Sequence, residues 1–151
     1  MSGLIRQATR ADIDAIYRIE KASFSVPWSK ESFLNDMGNA VARYLVLEEE
    51  GTILGYAGYW CIADEGQVTN VAVWPDARKC GRGERLVRAM TENAFAAGCI
   101  TMFLEVRASN IPAQKVYEKL GYTLVSVRKH YYTEPTEDAY IMNCQPATYR
   151  G

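Results

Sequence analysis

The stretch PDARKCGRGERL, residues 75–86, places two glycines and four basic side chains between VTNVAVW, which reads as a strand, and ERLVRAMTENAF, which reads as a helix. A plain strand-to-helix turn accounts for Pro75, Gly81 and Gly83, since proline pre-sets a turn and glycine reaches backbone angles that other residues avoid. An anion site accounts for them equally well. Amides at a helix start have no partner inside the helix, and glycines let a phosphate come close to them. Spacing narrows the choice of anion. A nucleotide P-loop, G-x-x-x-x-G-K-[ST], fails because Glu84 and Arg85 follow the second glycine. The dinucleotide fingerprint G-x-G-x-x-G fails at Leu86, and the chain before it is not a βαβ unit. What remains is Arg78-x-x-Gly81-x-Gly83, after a buried strand and ahead of an amphipathic helix.

Outward from this turn, the chain divides into short periodic runs. LIRQ reads as a strand, followed by Thr9 as a helix N-cap and Ile13, Ile16 and Ile19 at helical spacing to about Ala22. In VPWSKESFLNDM, Ser29 is the expected cap of a second, short helix, with Trp28 stapled onto Phe33. YLVLEEE, TILGYAGYWCIA and GQVTNVAVW form three β-rich runs with turns at Glu50-Gly51 and Asp64-Glu65-Gly66, an antiparallel meander. Leu86, Val87, Met90, Ala94 and Phe95 give the third helix its apolar stripe, and ITMFLEVR follows as a strand. Asn110 to Leu120 reads as a helix with Ala113, Val116, Tyr117 and Leu120 on one side, stopped by Gly121. YTLVSVRKHYY and DAYIMNCQ close the chain as strands around a polar TEPTE loop. The expected order is βααβββαβαββ, a mixed α+β fold without repeat or linker.

Size and charge bound the function. At 151 residues, 48% hydrophobic, the chain suits one domain, 1–151, with one well-formed core. A net charge of −1 and a pI near 5.9 give no global field toward nucleic acid or an anionic membrane, so neither is an expected partner. MSGLIRQATR has no apolar run of signal-peptide type and Leu54 to Ala63 is too short to span a bilayer, so a soluble, cytoplasmic protein is expected. Cys61, Cys80, Cys99 and Cys144 lie far apart, and His130 is the single histidine. Without ligand spacing no metal is expected, and the cysteines read as reduced thiols.

The chain resembles the GNAT acetyltransferases, and within them the branch that acetylates ribosomal-protein alanines, over roughly Leu4 to Cys144. The residues that carry the resemblance are the glycine turn, Pro27-Trp28-Ser29, Asn70-Val71-Ala72-Val73, Leu104-Glu105-Val106-Arg107-Ala108-Ser109-Asn110, Tyr117-Glu118-Lys119-Leu120-Gly121-Tyr122 and His130-Tyr131-Tyr132. It implies a mostly antiparallel central sheet with helices on both faces, acetyl-CoA as donor, a ribosomal-protein N-terminal peptide as acceptor, and direct attack in a ternary complex.

Each site residue has a structural reading beside the one the resemblance implies. Glu105 is the lone carboxylate in the apolar run MFLEV. It reads as an exposed or ion-paired residue, and the resemblance makes it the proton acceptor, through water. An α-amino group titrates near ~7.7–8.0, so a modest base suffices. Tyr117 reads as a core aromatic, and the resemblance makes it the donor to the leaving thiolate. Asn110 reads as a helix N-cap and is implied to hold the pantetheine arm. Val71, Ala72 and Val73 read as a buried strand and are implied to pair with pantetheine through their backbone, as an added strand would. Arg78, Lys79, Cys80, Gly81, Arg82, Gly83 and Glu84 are implied to hold the pyrophosphate. Glu84 departs from the pattern, since a carboxylate near phosphates is unfavourable unless it turns away or pairs with Arg85 or Arg88. Trp28, Tyr131 and Tyr132 read either as core or as walls of a peptide groove. Beside them Glu134, Glu137 and Asp138 read either as a solvated loop or as a preference for a basic peptide. A GNAT enzyme acting on a free small amine, and a non-catalytic acyl-CoA-binding module, are the competing functions. Retention of both Glu105 and Tyr117 argues against the second.

Overall fold

Eleven elements follow in the expected order in the computed structural model, which describes residues 3–151; Met1 and Ser2 of the expected domain lie outside the described residues. They are β1 (Leu4–Gln7), α1 (Ile13–Ser23), α2 (Lys30–Met37), β2 (Ala42–Glu49), β3 (Thr52–Ile62), β4 (Glu65–Val73), α3 (Arg82–Ala96), β5 (Thr101–Arg107), α4 (Ile111–Lys119), β6 (Thr123–Tyr132) and β7 (Glu137–Cys144). Single 3₁₀ turns at Arg10–Asp12 and Pro75–Ala77 lead toward α1 and α3. Thr9 therefore caps the 3₁₀ turn rather than α1 itself, with its amide donating to the Asp12 carboxylate at 2.8 Å. Ser29 caps α2 as expected, accepting from the Ser32 amide, and Trp28 sits on Phe33 at 5.4 Å between ring centroids.

One turn shifts. The second meander turn lies at Ala63 and Asp64, because Ala63 takes a positive φ of 56° and Glu65 and Gly66 already pair with Ile62 and Cys61. The charge and glycine of Asp64-Glu65-Gly66 suggest a turn, but the ladder extends through them.

The sheet runs β1-β2-β3-β4-β5-β7-β6 and is antiparallel at every junction except β4–β5. Alternation along β2 and β3 sends residues to two cores. Leu45, Leu47, Ala57 and Tyr59 join Leu86, Met90 and Ala94 of α3 and Tyr117 of α4 on one face. Tyr44, Val46 and Tyr56 join Ile13, Ile16 and Ile19 of α1 and Phe33 of α2 on the other. Helices thus cover both faces.

The feature that makes room for a ligand is the parallel junction. β4 and β5 pair at only three positions, Glu65 with Thr101, Gly66 with Met102 and Gln67 with Phe103. Beyond them β4 stays on β3 as far as Val73, and β5 stays on β7 as far as Arg107. A register shift between Gly58 and Tyr59 leaves Thr69 as an extra residue in β4, a bulge of the kind that bends a strand. The two central strands therefore part in the middle of the sheet, and the facing backbone edge of β4 is left without a ladder.

Candidate active site

The glycine turn sits at the open end of that split. Lys79 and Gly81 both take left-handed backbone, with φ of 66° and 79°, and Gly81 caps α3. Left-handed residues interleaved with ordinary ones turn successive amides toward one concavity, the geometry that receives anions, and the α3 dipole adds to it. The first α3 bond runs from the Arg85 amide to the Gly81 carbonyl at 3.1 Å, and among the described residues the amides of the first turn before it have no partner in the helix. A Cβ on Gly81 would meet open space, so the left-handed angle rather than crowding by the protein demands glycine there.

The side chains of Arg78, Arg82 and Glu84 are engaged by the fold. Arg82 forks onto Glu49 of β2 at 2.8 and 2.9 Å, and the Arg78 guanidinium donates to the Val73 carbonyl and to Ser23 Oγ. Glu84 binds Lys119 at 3.0 Å and Arg88 at 2.8 Å, and these two cations hold its carboxyl below the usual range. Its charge is thereby compensated by Arg88, one of the two conditions under which it is compatible with phosphate, and by Lys119. Lys79 and Cys80 are exposed.

The open edge of β4 carries Val71, Ala72 and Val73. Ala72 and Val73 are buried, one in each core. Across the split, α4 presents Asn110 and Tyr117. Asn110 caps the helix by accepting from the Ala113 amide at 3.3 Å, which leaves its amide nitrogen available. Tyr117 packs against Tyr122 with the rings tilted and their centroids 5.8 Å apart, and burial pushes its hydroxyl up to about 12, so it holds its proton at neutral pH. No hydrogen bond from this hydroxyl is formed among the described residues.

Glu105 belongs to the opposite face. Its neighbours Leu104 and Val106 are buried in the core that contains Tyr117, so alternation along β5 sends Glu105 to the other side of the sheet. There it meets Arg128 at 3.8 Å and the Tyr131 hydroxyl, whose hydrogen bond to Glu105 raises the phenol above its ordinary value. Tyr132 is raised by burial and then by the Glu105 charge. Tyr131 and Tyr132 meet edge to face at 5.1 Å. Glu105, Tyr131 and Tyr132 are thus one cluster, whereas Trp28 stands on the α1–α2 side, half-buried against Phe33.

Residues without a sequence-assigned role complete the site. Arg107 lies on the Glu105 face of β5 with its guanidinium 4.4 Å over the Tyr132 ring. It donates to the Thr133 and Pro135 carbonyls and pairs with Glu137, so it clamps the β6–β7 loop. Glu137 also accepts from the Ser109 amide, and Asp138 accepts from the His130 amide. Two of the three acidic residues expected as a solvated loop or a peptide-attracting set are therefore spent on the fold. Gln114 ties α4 to the end of β5 through the carbonyls of Arg107 and Ala108. Glu20, at 1% exposure, accepts from the Trp28 amide, the Tyr56 hydroxyl and the Asn70 side chain. The signal for Glu20 was its place four residues after Ile16, on the apolar stripe of α1. For Arg107 it was the strand period that puts it beside Glu105. Among the described residues no group of three or more His, Cys, Asp or Glu is placed to hold a metal ion, and no helix is long and apolar enough to cross a membrane.

The family model of the acetyltransferase (GNAT) family matches residues 13–122. A Bacillus subtilis protein, provisionally named a ribosomal protein bS18-alanine N-acetyltransferase, is 42% identical over 91% of this chain and 92% of its own length. The ribosomal protein bS18-alanine N-acetyltransferase of Haemophilus influenzae is 36% identical over 93% and 97%. Among solved structures, the ribosomal-protein-S18-alanine N-acetyltransferase from Escherichia coli superposes with a TM-score of 0.89 at 31% identity, covering 99% of this chain and 96% of that one.

Proposed function

This chain belongs to the acetyltransferase (GNAT) family, and we propose that it is a protein N-terminal acetyltransferase that moves acetyl from acetyl-CoA to the N-terminal alanine of a small-subunit ribosomal protein in the cytoplasm. The observation that carries this reading is the parting of β4 from β5 with Glu105 on one face, Tyr117 on the other and a cup of free amides at its open end. The acceptor class is supported by the relatives, which are named for the alanine of bS18.

The chemistry divides along the split. The amides of residues 79–84, aided by the α3 dipole, take the pyrophosphate. The open edge of Val71 to Val73 takes the pantetheine amides as a further strand would, with Asn110 on the far wall. An amide of the same edge polarises the thioester oxygen. From the other face, Glu105 accepts a proton from the incoming ammonium through water, releasing the neutral amine. The amine nitrogen bonds to the acetyl carbon, the carbon–sulfur bond breaks, the thiolate takes the Tyr117 proton, and the second proton of the acylated nitrogen passes through water to restore the phenol. Transfer is direct, in a ternary complex with no acetyl-enzyme, and it calls for no metal. Trp28, Tyr131 and Tyr132 form the walls of the peptide groove.

Incubating the protein with isotope-labelled acetyl-CoA and a mixture of ribosomal proteins, followed by mass spectrometry, tests the reading. Label is expected on the N-terminal alanine of one small-subunit protein. Label confined to free small amines, or none, overturns it.

A further inference from the structure

The most deeply buried carboxylate in the molecule serves no step above. Glu20 lies in the last turn of α1, is 1% exposed, and among the described residues has no cation as a hydrogen-bond partner. Oε2 accepts from the Trp28 amide at 2.9 Å, Oε1 accepts from the Tyr56 hydroxyl, and the Asn70 amide group donates to both oxygens at 3.0 and 3.1 Å. A buried carboxylate is costly unless its lone pairs are satisfied, and here donors from β3, β4 and the α1–α2 connection supply them. Burial still raises the acid above its ordinary value. An aliphatic side chain would fill the same volume without that cost, so what Glu20 joins is the informative part.

It joins the two halves of the site. Asn70 lies on β4 directly before Val71. Trp28 lies in the α1–α2 connection, whose Phe24 and Val26 are exposed and which belongs to no helix or strand. Trp28 and its neighbours Pro27 and Ser29 also line a cavity of about 480 Å³ with Ser32, Asn35 and Asp36. The β4 segment is held independently, through its ladder with β3 from Asn70 to Val73. The connection has far fewer ties, chiefly the Glu20 bond and the Trp28–Phe33 contact.

We propose that Glu20 is a positioning residue of the acceptor side: its carboxylate hangs the Trp28 segment from Asn70 at the head of the open β4 edge, and so sets the distance between peptide groove and thioester. The proposal rests on the function given above. Because β4 keeps its ladder, loss of Glu20 acts on peptide binding and leaves donor binding in place.

Glu20→Met keeps the bulk and removes every acceptor. The expected result is a peptide KM raised about tenfold, the order expected for losing a hydrogen bond to a charged group, with acetyl-CoA affinity by calorimetry within about twofold. Glu20→Gln retains one oxygen for the Trp28 amide and is expected to bring the peptide KM most of the way back. Tyr56→Phe cuts a bond to the same carboxylate on the core side only. It is expected to lower the melting temperature while leaving peptide KM at the wild-type value. A peptide KM changed less than about twofold in Glu20→Met, or raised equally by Tyr56→Phe, overturns the proposal. Should Glu20→Met not fold, Asn70→Ala removes the β4 end of the tether, and an unchanged peptide KM there overturns it as well. Hydrogen exchange separates this inference from the functional reading. If the wild-type protein acetylates no peptide, that reading falls, and the tether is then decided by the amides of residues 24–28. Amides exchanging no faster in Glu20→Met than in wild type sink it.

Discussion

In the function proposed, the donor side and the acceptor side of the site are built from different materials. On the donor side the working groups are main-chain amides and carbonyls, from β4 at Val71 to the start of α3, within 14 residues of one another in the chain. On the acceptor side they are side chains brought in from α1, β5 and β6, through Glu20, Glu105, Arg107, Arg128, Tyr131 and Tyr132. A backbone site tolerates changes of side chain provided φ and ψ are kept. A side-chain site depends on the identity of each group and on the topology that gathers them. Substitutions should therefore separate cleanly into those that affect donor affinity and those that affect peptide turnover.

The largest effect is expected where the two sides meet. Glu105→Gln should lower turnover by about 10²-fold or more, within the ~10²–10⁴ range of general acid–base groups, with donor affinity retained. Tyr117→Phe should also slow peptide turnover. Its melting temperature should barely move, because the hydroxyl has no hydrogen bond to lose within the described residues and the ring keeps its place against Tyr122. Wild-type rates in both variants on an alanine-starting peptide would return the two residues to structural roles and leave the two sides without a reacting centre.

Next in size is the donor side tested alone. Gly81→Val forces a β-branched residue to φ 79° and distorts the amide cup, so donor affinity should fall at least about tenfold along with some stability. Gly83 is different. It has ordinary helical backbone, and a Cβ there would meet only Val73 Cγ2 at 3.9 Å. Gly83→Val should therefore fold normally and weaken the donor only by crowding it. Calorimetry showing unchanged acetyl-CoA affinity in both folded variants would remove the donor side from this turn.

The same contrast explains what could be read from the sequence. The glycine turn, the α2 cap and the order of elements are local, written in spacing and period, and the structure has them where the residues put them. Glu84 was the exception to the turn's chemistry: its pair with Arg88, one turn on, is local and expected, but its second partner Lys119 is 35 residues away, where no local pattern reaches. The Glu105–Tyr131 contact likewise requires β7 to lie between β5 and β6, a fact of topology. A backbone edge at Val71 to Val73 open to pantetheine, which the parting of β4 and β5 supplies, was implied by family resemblance alone. No residue in VTNVAVW announces it, and the visible cause, the bulge at Thr69, is a property of the β3 register.

A smaller effect should test whether the acceptor side is a side-chain site in the stated sense. Arg107→Lys keeps a positive charge near Glu137 but loses the planar fork to Thr133 and Pro135 and the stack on Tyr132. Peptide kcat/KM should fall several-fold, by about the loss of one or two hydrogen bonds, with acetyl-CoA affinity unchanged. An equal fall in donor affinity would show that the two sides are not separable.

The smallest expected effect is the absence of a limb in the pH profile. In the proposed reaction Tyr117 must be protonated to serve the thiolate, and an ordinary tyrosine would lose that proton near pH 10. Burial pushes this one up to about 12, and for an acid a raised value means that the protonated form persists to higher pH. The rate should accordingly rise as the substrate α-amino group loses its proton near pH ~8 and then stay level through pH 10. Stopped assays in overlapping buffers, with protein integrity checked at each pH, would show the plateau. A descending limb centred near pH 10 in wild type that disappears in Tyr117→Phe would mean that the hydroxyl is solvated as an ordinary phenol is. The acid would then belong to an open groove, and the contrast between a buried donor on one face and a polar acceptor cluster on the other would no longer hold.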